Sequence, residues 1–345
     1  MTHSTETTSQ ITVLPSGRTF STHADETILS AGIRQGINLP YGCKDGACGS
    51  CKCRKLGGSV THGSYQSRAL SDDDLANGMV LTCCAYATSD VVLESRDVTA
   101  VGAWPIKKMP SRVASIQKVS ADVVILNLQL PASEPFDYHA GQYVQFLLSG
   151  GMRRSFSMAN APHFAKATGL ELHIRHLPGG RFTGYVFDEM KEKEIMRIEG
   201  PYGSFYLRKD SDKPIVLLAS GTGFAPIKAI IEFMQFKGIS RPATLYWGGR
   251  RPSDLYLDGW VKIQLAKMPR LRYVPVISDA IPEDNWHGRT GFVHRAVIED
   301  KPDLSGYQVY ACGAPVVVDS ARMDYLRSGL PESEFFADAF TLDAR

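Results

Sequence analysis

The sequence predicts a multi-domain chain of three modules: a small β-rich module wrapped around a cysteine cluster, an antiparallel β-barrel, and an α/β domain on a parallel sheet. Three observations carry this. Six of the seven cysteines (Cys43, Cys48, Cys51, Cys53, Cys83 and Cys84) fall in the first quarter of the 345 residues. Short β-type runs recur between residues 113 and 207. After residue 210 the rhythm changes to strand, glycine loop, helix, the alternation that builds a parallel sheet. The length also exceeds one ordinary domain of about 100–150 residues.

In the first module, residues 11–14 and 18–21 flank Pro15-Ser-Gly17, turn residues between two short β-prone runs, which predicts a hairpin. Asp25 is placed to cap a helix with apolar Ile28, Leu29 and Ile33, and Gly36 to end it. The acidic run 72–74 predicts the start of a short helix, and 79–84 and 91–94 read as strands. Patterning fades from Arg96 to Pro110, a linker. The barrel strands are expected at 113–119, 123–130, 143–148, 156–158, 170–176 and 195–199, with a helix over 181–190. In the third module, residues 215–219 form a strand, 220–223 a glycine loop and 225–237 a helix, followed by strands at 244–247, 273–277 and 308–311.

Composition excludes several classes. Hydrophobic residues make up 43% and charged residues 21% of the chain, too apolar for a disordered protein. Lys and Arg number 38 against 36 Asp and Glu, with no basic block to track a phosphate backbone, so nucleic acid is not expected as a partner. The first ten residues lack a basic start and an apolar run, and the longest apolar stretch, 214–227, is shorter than the ~18 residues a membrane span needs. No membrane association and a cytoplasmic location are expected. Crowded cysteines in such a chain point to metal or redox chemistry rather than to a disulfide framework.

Cys43, Cys48, Cys51 and Cys83 follow the C-x4-C-x2-C…C spacing of plant-type 2Fe–2S ligands. Four thiolates must converge on two irons while backbone N–H groups face the sulfurs, and Gly42, Gly46, Ala47, Gly49 and Ser50 are small enough for such a tight loop. Structural zinc is the rival, but zinc modules use two close Cys pairs and only one is present. Cys53 and Cys84 read as small buried residues, with Cys84 the alternative fourth ligand.

Further along, Arg154-Ser-Phe-Ser157, Pro178-Gly-Gly-Arg-Phe-Thr183, Gly221-Thr-Gly-Phe-Ala-Pro226, Tyr246-Trp-Gly-Gly-Arg250, Tyr310-Ala-Cys-Gly-Ala-Pro315 and Asp338-Ala-Phe340 occur in that order. With the cysteine motif, they resemble the ferredoxin–NADP reductase superfamily in its form with a fused N-terminal 2Fe–2S ferredoxin, from about residue 10 to residue 341. The resemblance implies a β-grasp plant-type ferredoxin at 1–98, a linker at 99–110, an FAD-binding β-barrel at 111–209 and an NAD(P)-binding α/β domain at 210–345. A ferredoxin that precedes the barrel resembles the FAD users of this superfamily rather than the FMN users.

For the flavin, the resemblance implies Arg154 on the pyrophosphate, Phe156 over the ring and Ser157 at its N5 edge; Phe156 stands where relatives more often carry Tyr. It further implies His173, Ile174 and Arg175 along the flavin, and Gly180, Arg181, Phe182 and Thr183 at the pyrophosphate. Gly221, Thr222, Gly223 and Pro226 would cradle the pyridine nucleotide, with Cys312 and Gly313 beside the nicotinamide and Phe340 covering the flavin until nicotinamide displaces it. Ser157, Cys312, Asp338 and Phe340 thus surround the reacting atoms. NADH is preferred on resemblance; Arg250 and Arg251 could pair a 2′-phosphate, which leaves NADPH open.

The implied function is an oxidoreductase that passes hydride from NADH to FAD, then single electrons to the 2Fe–2S cluster and on to a terminal oxygenase or a dehydrase. Two subfamilies share the architecture: reductases of Rieske-type ring-hydroxylating oxygenases and reductases serving a sugar dehydrase of the CDP-6-deoxy-glucoseen type. The run 41–52, the Cys83-Cys84 doublet and 335–340 look most like the latter, without identifying the acceptor. Two other readings of the same motifs are an iron–sulfur sensor on a reductase scaffold and a free-standing NADH oxidase or flavin reductase.

Overall fold

The computed structural model describes residues 8–95 and 104–340, which form two compact units divided after Pro105. In the first unit, β1 (Thr8–Leu14) and β2 (Arg18–His23) form an antiparallel hairpin closed by Gly17 at φ +69°, with Ile11 and Val13 buried on one face. Helix α1 (Ile28–Arg34) is capped by Thr27, whose hydroxyl accepts the Ser30 N–H, and not by Asp25. The first turn starts at Ile28, so its free N–H groups lie beside Thr27 rather than two residues upstream.

The chain then runs through the cysteine loop into β3 (Lys52–Gly57), β4 (Val60–His62), α2 (Asp72–Ala76), β5 (Met79–Leu81), β6 (Ala85–Ala87) and β7 (Val91–Glu94). The main sheet has the order β2-β1-β7-β3-β5, with β1 parallel to β7, and α1 buries Ile28, Leu29 and Ala31. This is the β-grasp arrangement. The single strand expected over 79–84 is broken: Thr82–Cys84 is a turn in which the Cys84 N–H bonds Leu81 O at 3.1 Å and the Thr82 N–H bonds Cys51 O at 3.2 Å. That turn lifts Cys83 out of the strand and toward the loop.

The second unit begins with β8 (Lys107–Lys118), which takes in Lys107–Pro110 from the stretch read as linker; residues 96–103 of that stretch lie outside the described residues. Met109, Ser111 and Val113 alternate inward, so the pattern is that of a strand. Pro110 is tolerated because β8 pairs only with β13 at this point; pairing with the other neighbour starts at Arg112. The barrel continues through β9 (Val123–Gln129), β10 (Tyr143–Leu147), β11 (Arg153–Ser157), α3 (Pro162–Thr168), β12 (Leu170–Arg175), α4 (Arg181–Asp188) and β13 (Ile195–Tyr202). Its six antiparallel strands run β11-β10-β13-β8-β9-β12, and a Met158–Leu172 bridge joins the two ends. The interior is filled by Val124, Leu126, Phe146, Leu172, Ile174 and Ile198.

The remaining elements are β14 (Ile215–Ser220), α5 (Phe224–Phe236), β15 (Ala243–Gly249), α6 (Asp258–Lys267), β16 (Leu271–Ile277), β17 (Arg289–Thr290), α7 (Val293–Asp300), β18 (Gln308–Gly313), α8 (Pro315–Arg327) and β19 (Phe335–Ala339). All six strands are parallel, in the order β17-β16-β15-β14-β18-β19. The order reverses between β14 and β18, and a crevice at such a point is where open α/β sheets bind ligands. No helix among the described residues is long and apolar enough to cross a membrane.

Candidate functional site

In the first unit the loop between α1 and β3 takes left-handed backbone at Lys44, Gly46 and Gly49, with φ of 68°, 74° and 75°. A Cβ on Gly46 would lie 2.8–2.9 Å from Tyr65 and the Ser64 carbonyl, so only glycine fits this turn. The turn aims main-chain donors at sulfur. The N–H groups of Ala47 and Cys48 reach Cys43 Sγ at 3.4 and 3.3 Å, and the Cys43 N–H reaches Cys48 Sγ at 3.4 Å.

Among the described residues Cys43 bonds Cys48, and Cys83 bonds Cys51. The Cys43 thiol bonds Cys48 and is pushed up by it, while Cys48 is pulled down; Cys51 and Cys83 do the same, with Cys83 the lowered member. The Gly46 N–H also stabilises the Cys83 thiolate. Cys84 also bonds Cys83, which pushes the Cys84 thiol up, and its Sγ lies 3.7 Å from Leu81 O; Cys53 is buried on β3. Four thiols in the C-x4-C-x2-C…C spacing, with backbone amides aimed at sulfur, fit a 2Fe–2S cluster, and Cys43, Cys48, Cys51 and Cys83 are the side chains that would hold it.

In the second unit β19, beside β18 in the parallel sheet, meets strand β11 of the barrel. Ser157 Oγ donates to Asp338 Oδ2 at 3.1 Å across 181 residues of sequence. Both groups are buried, and burial pushes the Asp338 carboxyl up to about 6 although the Ser157 bond pulls it down. Asp338 pairs in register with Cys312, whose thiol burial raises well above its ordinary value. The Phe340 N–H donates to Gly313 O at 2.8 Å, which turns the half-buried ring at the end of β19.

The glycine loop is packed too tightly for side chains. A Cβ on Gly223 would lie 2.2 Å from Cys312 O, and one on Gly313 2.5 Å from Ser220 O. Gly221, at φ +54°, lies under the Arg175 guanidinium, 2.7 Å from the position of a Cβ. Its carbonyl accepts the Trp247 indole N–H at 3.0 Å, and Trp247 stacks on Phe224 with centroids 3.9 Å apart. Thr222 and Pro226 are buried beside it. A glycine loop whose backbone is bare of side chains, at the N-terminus of α5, fits a dinucleotide pyrophosphate.

Phe156 is half-buried between Phe146 and Phe182, and Arg154 is half-buried beside it. Gly180 caps α4 with no side-chain bond, which leaves the first-turn N–H groups for an anion. Arg181 is exposed at that end, whereas Phe182 packs in the barrel core and the Thr183 hydroxyl is taken up by the Leu177 N–H at 3.1 Å. On β12 the Ile174 side chain lies in the barrel core. His173 is engaged at both ring nitrogens, by Tyr256 OH at 2.8 Å and Glu171 Oε1 at 2.9 Å, and burial lowers it below its ordinary value. Arg175 is flanked by Asp122 at 3.0 Å and Asp254 at 3.6 Å, with Nε and one terminal nitrogen lacking a hydrogen-bond partner. Arg251 is ion-paired to Asp284 at 2.8 Å, while Arg250 is exposed and its N–H caps onto Asp254 at 2.7 Å.

Sequence reasoning passed over Glu171, Lys228, Glu232 and Tyr256, which line the seam between the barrel and the parallel sheet. A Lys–Glu pair one turn apart inside the otherwise apolar run 224–234 was the available signal.

Three family models match the chain: a 2Fe-2S iron-sulfur cluster binding domain over residues 11–88, an oxidoreductase FAD-binding domain over 110–206 and an oxidoreductase NAD-binding domain over 217–323. The CDP-6-deoxy-L-threo-D-glycero-4-hexulose-3-dehydrase reductase of Yersinia pseudotuberculosis is 41% identical over 329 residues, covering 94% of this chain and 96% of the relative. The terephthalate 1,2-dioxygenase reductase component 1 of Comamonas sp is 34% identical over 333 residues, with 96% and 97% covered. Among solved structures, the Amycolatopsis cytochrome P450 reductase GcoB superposes with a TM-score of 0.78 at 32% identity, covering 97% of this chain and 99% of that one.

Proposed function

The chain belongs to the ferredoxin–NADP reductase superfamily in its form with an N-terminal 2Fe–2S domain, and from that premise we propose that it is the NADH-dependent reductase component serving a partner oxygenase or dehydrase. The single observation that carries the reading is the meeting of Ser157, Asp338, Cys312 and the glycine loop at one crevice, within a chain that also builds a four-thiol 2Fe–2S loop. When bound, the flavin takes hydride from the nicotinamide and releases electrons singly to the iron–sulfur centre, a conversion neither neighbour makes alone.

The chain's own residues orient and insulate that exchange. Gly221–Gly223 offer main-chain N–H groups at the start of α5 to the dinucleotide pyrophosphate. Arg154 and the open first turn of α4 supply positive charge for the flavin pyrophosphate. Ser157 Oγ donates its hydroxyl proton to Asp338 Oδ2 at the reacting edge, and a carboxyl near 6 keeps a second proton, on Asp338 itself, at neutral pH in part of the molecules. Phe340, half-buried and pinned through its N–H, excludes water from the same edge. The functional modules are taken as 1–98, 111–209 and 210–345. Cysteines crowded as ligands of an iron–sulfur centre suit a cytoplasmic setting.

NADH is favoured over NADPH because Arg251 is already neutralised by Asp284 and Asp254 stands beside Arg250. The test of the whole reading is cytochrome c reduction by NADH in the full chain and after removal of residues 1–98. An electron-transfer component loses this activity on truncation but keeps ferricyanide reduction; unchanged cytochrome c turnover identifies a self-contained oxidase instead.

A further inference from the structure

With the nicotinamide at the 221–226 loop and the flavin along β11, as proposed above, we infer that Lys228 is a positioning residue for hydride transfer, the pin of a buried polar clasp that holds the glycine loop against the flavin strand. Lys228 is 4% exposed. Its Nζ donates to Glu232 Oε1 at 2.6 Å and to Ala159 O at 3.2 Å, and lies 3.1 Å from Glu171 Oε1 and 5.1 Å from the Trp260 ring centroid. Glu232 in turn accepts the Ala161 N–H at 2.8 Å. One helix side chain pair therefore grips the backbone at Ala159 and Ala161.

The grip is close to the chemistry at both ends. Ala159 is two residues past Ser157, at most about 7 Å of chain. Lys228 is five residues past Gly223, about 7.5 Å along the helix. The rest of the outward face of β12 reaches the same loop: His173 bonds Tyr256, which packs edge-on against Trp247 and Phe224, and Arg175 lies over Gly221. Glu171, His173 and Arg175 stand at every second residue, so a single strand face meets the loop's helix, its aromatic floor and its first glycine. Burial works to raise Glu171, but its His173 and Lys228 contacts outweigh that and hold it at about 2; burial raises Glu232. Lys228 thus stands as one cation between two carboxylates.

A cavity of about 390 Å³, lined in part by Asn160, Phe164, Leu257 and Trp260, borders the clasp, so substitutions there have room. A staple that only stabilises can be replaced by uncharged groups without loss of rate, whereas a positioning device cannot. We would compare Lys228→Met and Lys228→Met/Glu232→Gln with the parent, each as the full chain loaded with FAD and cluster. The readouts are thermal midpoint, FAD per chain, the NAD+ dissociation constant, hydrogen exchange of 159–161 and 221–224, and the limiting rate of flavin reduction by NADH.

The single variant is expected to lose midpoint and rate together. The double variant, relieved of one buried unpaired carboxylate, should recover midpoint and FAD content while its limiting rate stays about 10- to 100-fold low, as expected for a misplacement on the order of an ångström. Its NAD+ affinity should be unchanged, and the two segments should exchange faster than in the parent. A double variant with the parent's rate, or one whose loss is wholly in NAD+ affinity, would overturn the inference and leave a structural staple. Parent protein that NADH fails to reduce would overturn the functional reading as well.

Discussion

Replacing Asp338 by Asn should stabilise the protein at neutral pH while impairing it as a reductase. Burial holds the Asp338 carboxyl at about 6 against an ordinary 3.8. Between those values the folded state binds more protons than the unfolded state, so stability falls as pH rises through the window and stays low above it. The gap, at 1.36 kcal/mol per pH unit, amounts to about 3 kcal/mol by pH 7. Asn keeps an acceptor for Ser157 and carries no charge to desolvate. For a unit of this size, 1 kcal/mol moves the thermal midpoint by roughly 2–4 °C. The variant should melt about 6–12 °C above the parent at pH 7.5 and within about 2 °C of it at pH 4, where both side chains are neutral. Melting curves of the two proteins from pH 4 to 8 test this. A midpoint difference that is constant with pH, or a variant less stable at pH 7.5, would refute the burial argument.

Other substitutions separate the remaining roles. Cys83→Ser should abolish iron binding and Cys84→Ser should retain it, read as iron per chain, because Cys83 bonds Cys51 of the motif and the Gly46 N–H, while Cys84 bonds its neighbour Cys83 and Leu81 O. Gly223→Ala places a methyl 2.2 Å from Cys312 O and should weaken NAD+ binding by more than tenfold, or roughly 1.4 kcal/mol, with cluster absorbance unchanged. Asp284→Ala releases Arg251 from its ion pair and should lower the KM for NADPH several-fold, with little change for NADH; an unchanged ratio would show that this arginine does not meet the 2′-phosphate.

Features written in local spacing were legible before any coordinates. The four-cysteine loop is one, since its glycines and ligands lie within ten residues apart from Cys83, and the strand, glycine loop and helix of 215–236 is another. The turn at Thr82–Cys84 was not legible, because Val80, Leu81, Cys83 and Cys84 together read as a continuous apolar strand; what breaks it is the bond from Thr82 to Cys51, thirty-one residues away. The first residues of β8 were hidden by Pro110, which signals a linker unless one knows that the strand has a neighbour on one side only there. Within the crevice, Ser157 and Asp338 each belong to a motif, but that they bond depends on how β19 joins the sheet. On β12 and α4 the motifs do not tell which way side chains point: Ile174 and Phe182 face the barrel core, and His173 bonds Tyr256 and Glu171.

The central claim, that electrons pass from NADH through the flavin to the iron–sulfur centre, is tested most directly by anaerobic stopped-flow absorbance of the full chain mixed with NADH, following flavin and cluster bands separately. Flavin bleaching first and cluster bleaching after it, in every molecule that holds both, is the predicted course. A flavin that bleaches while the cluster stays oxidised would contradict it.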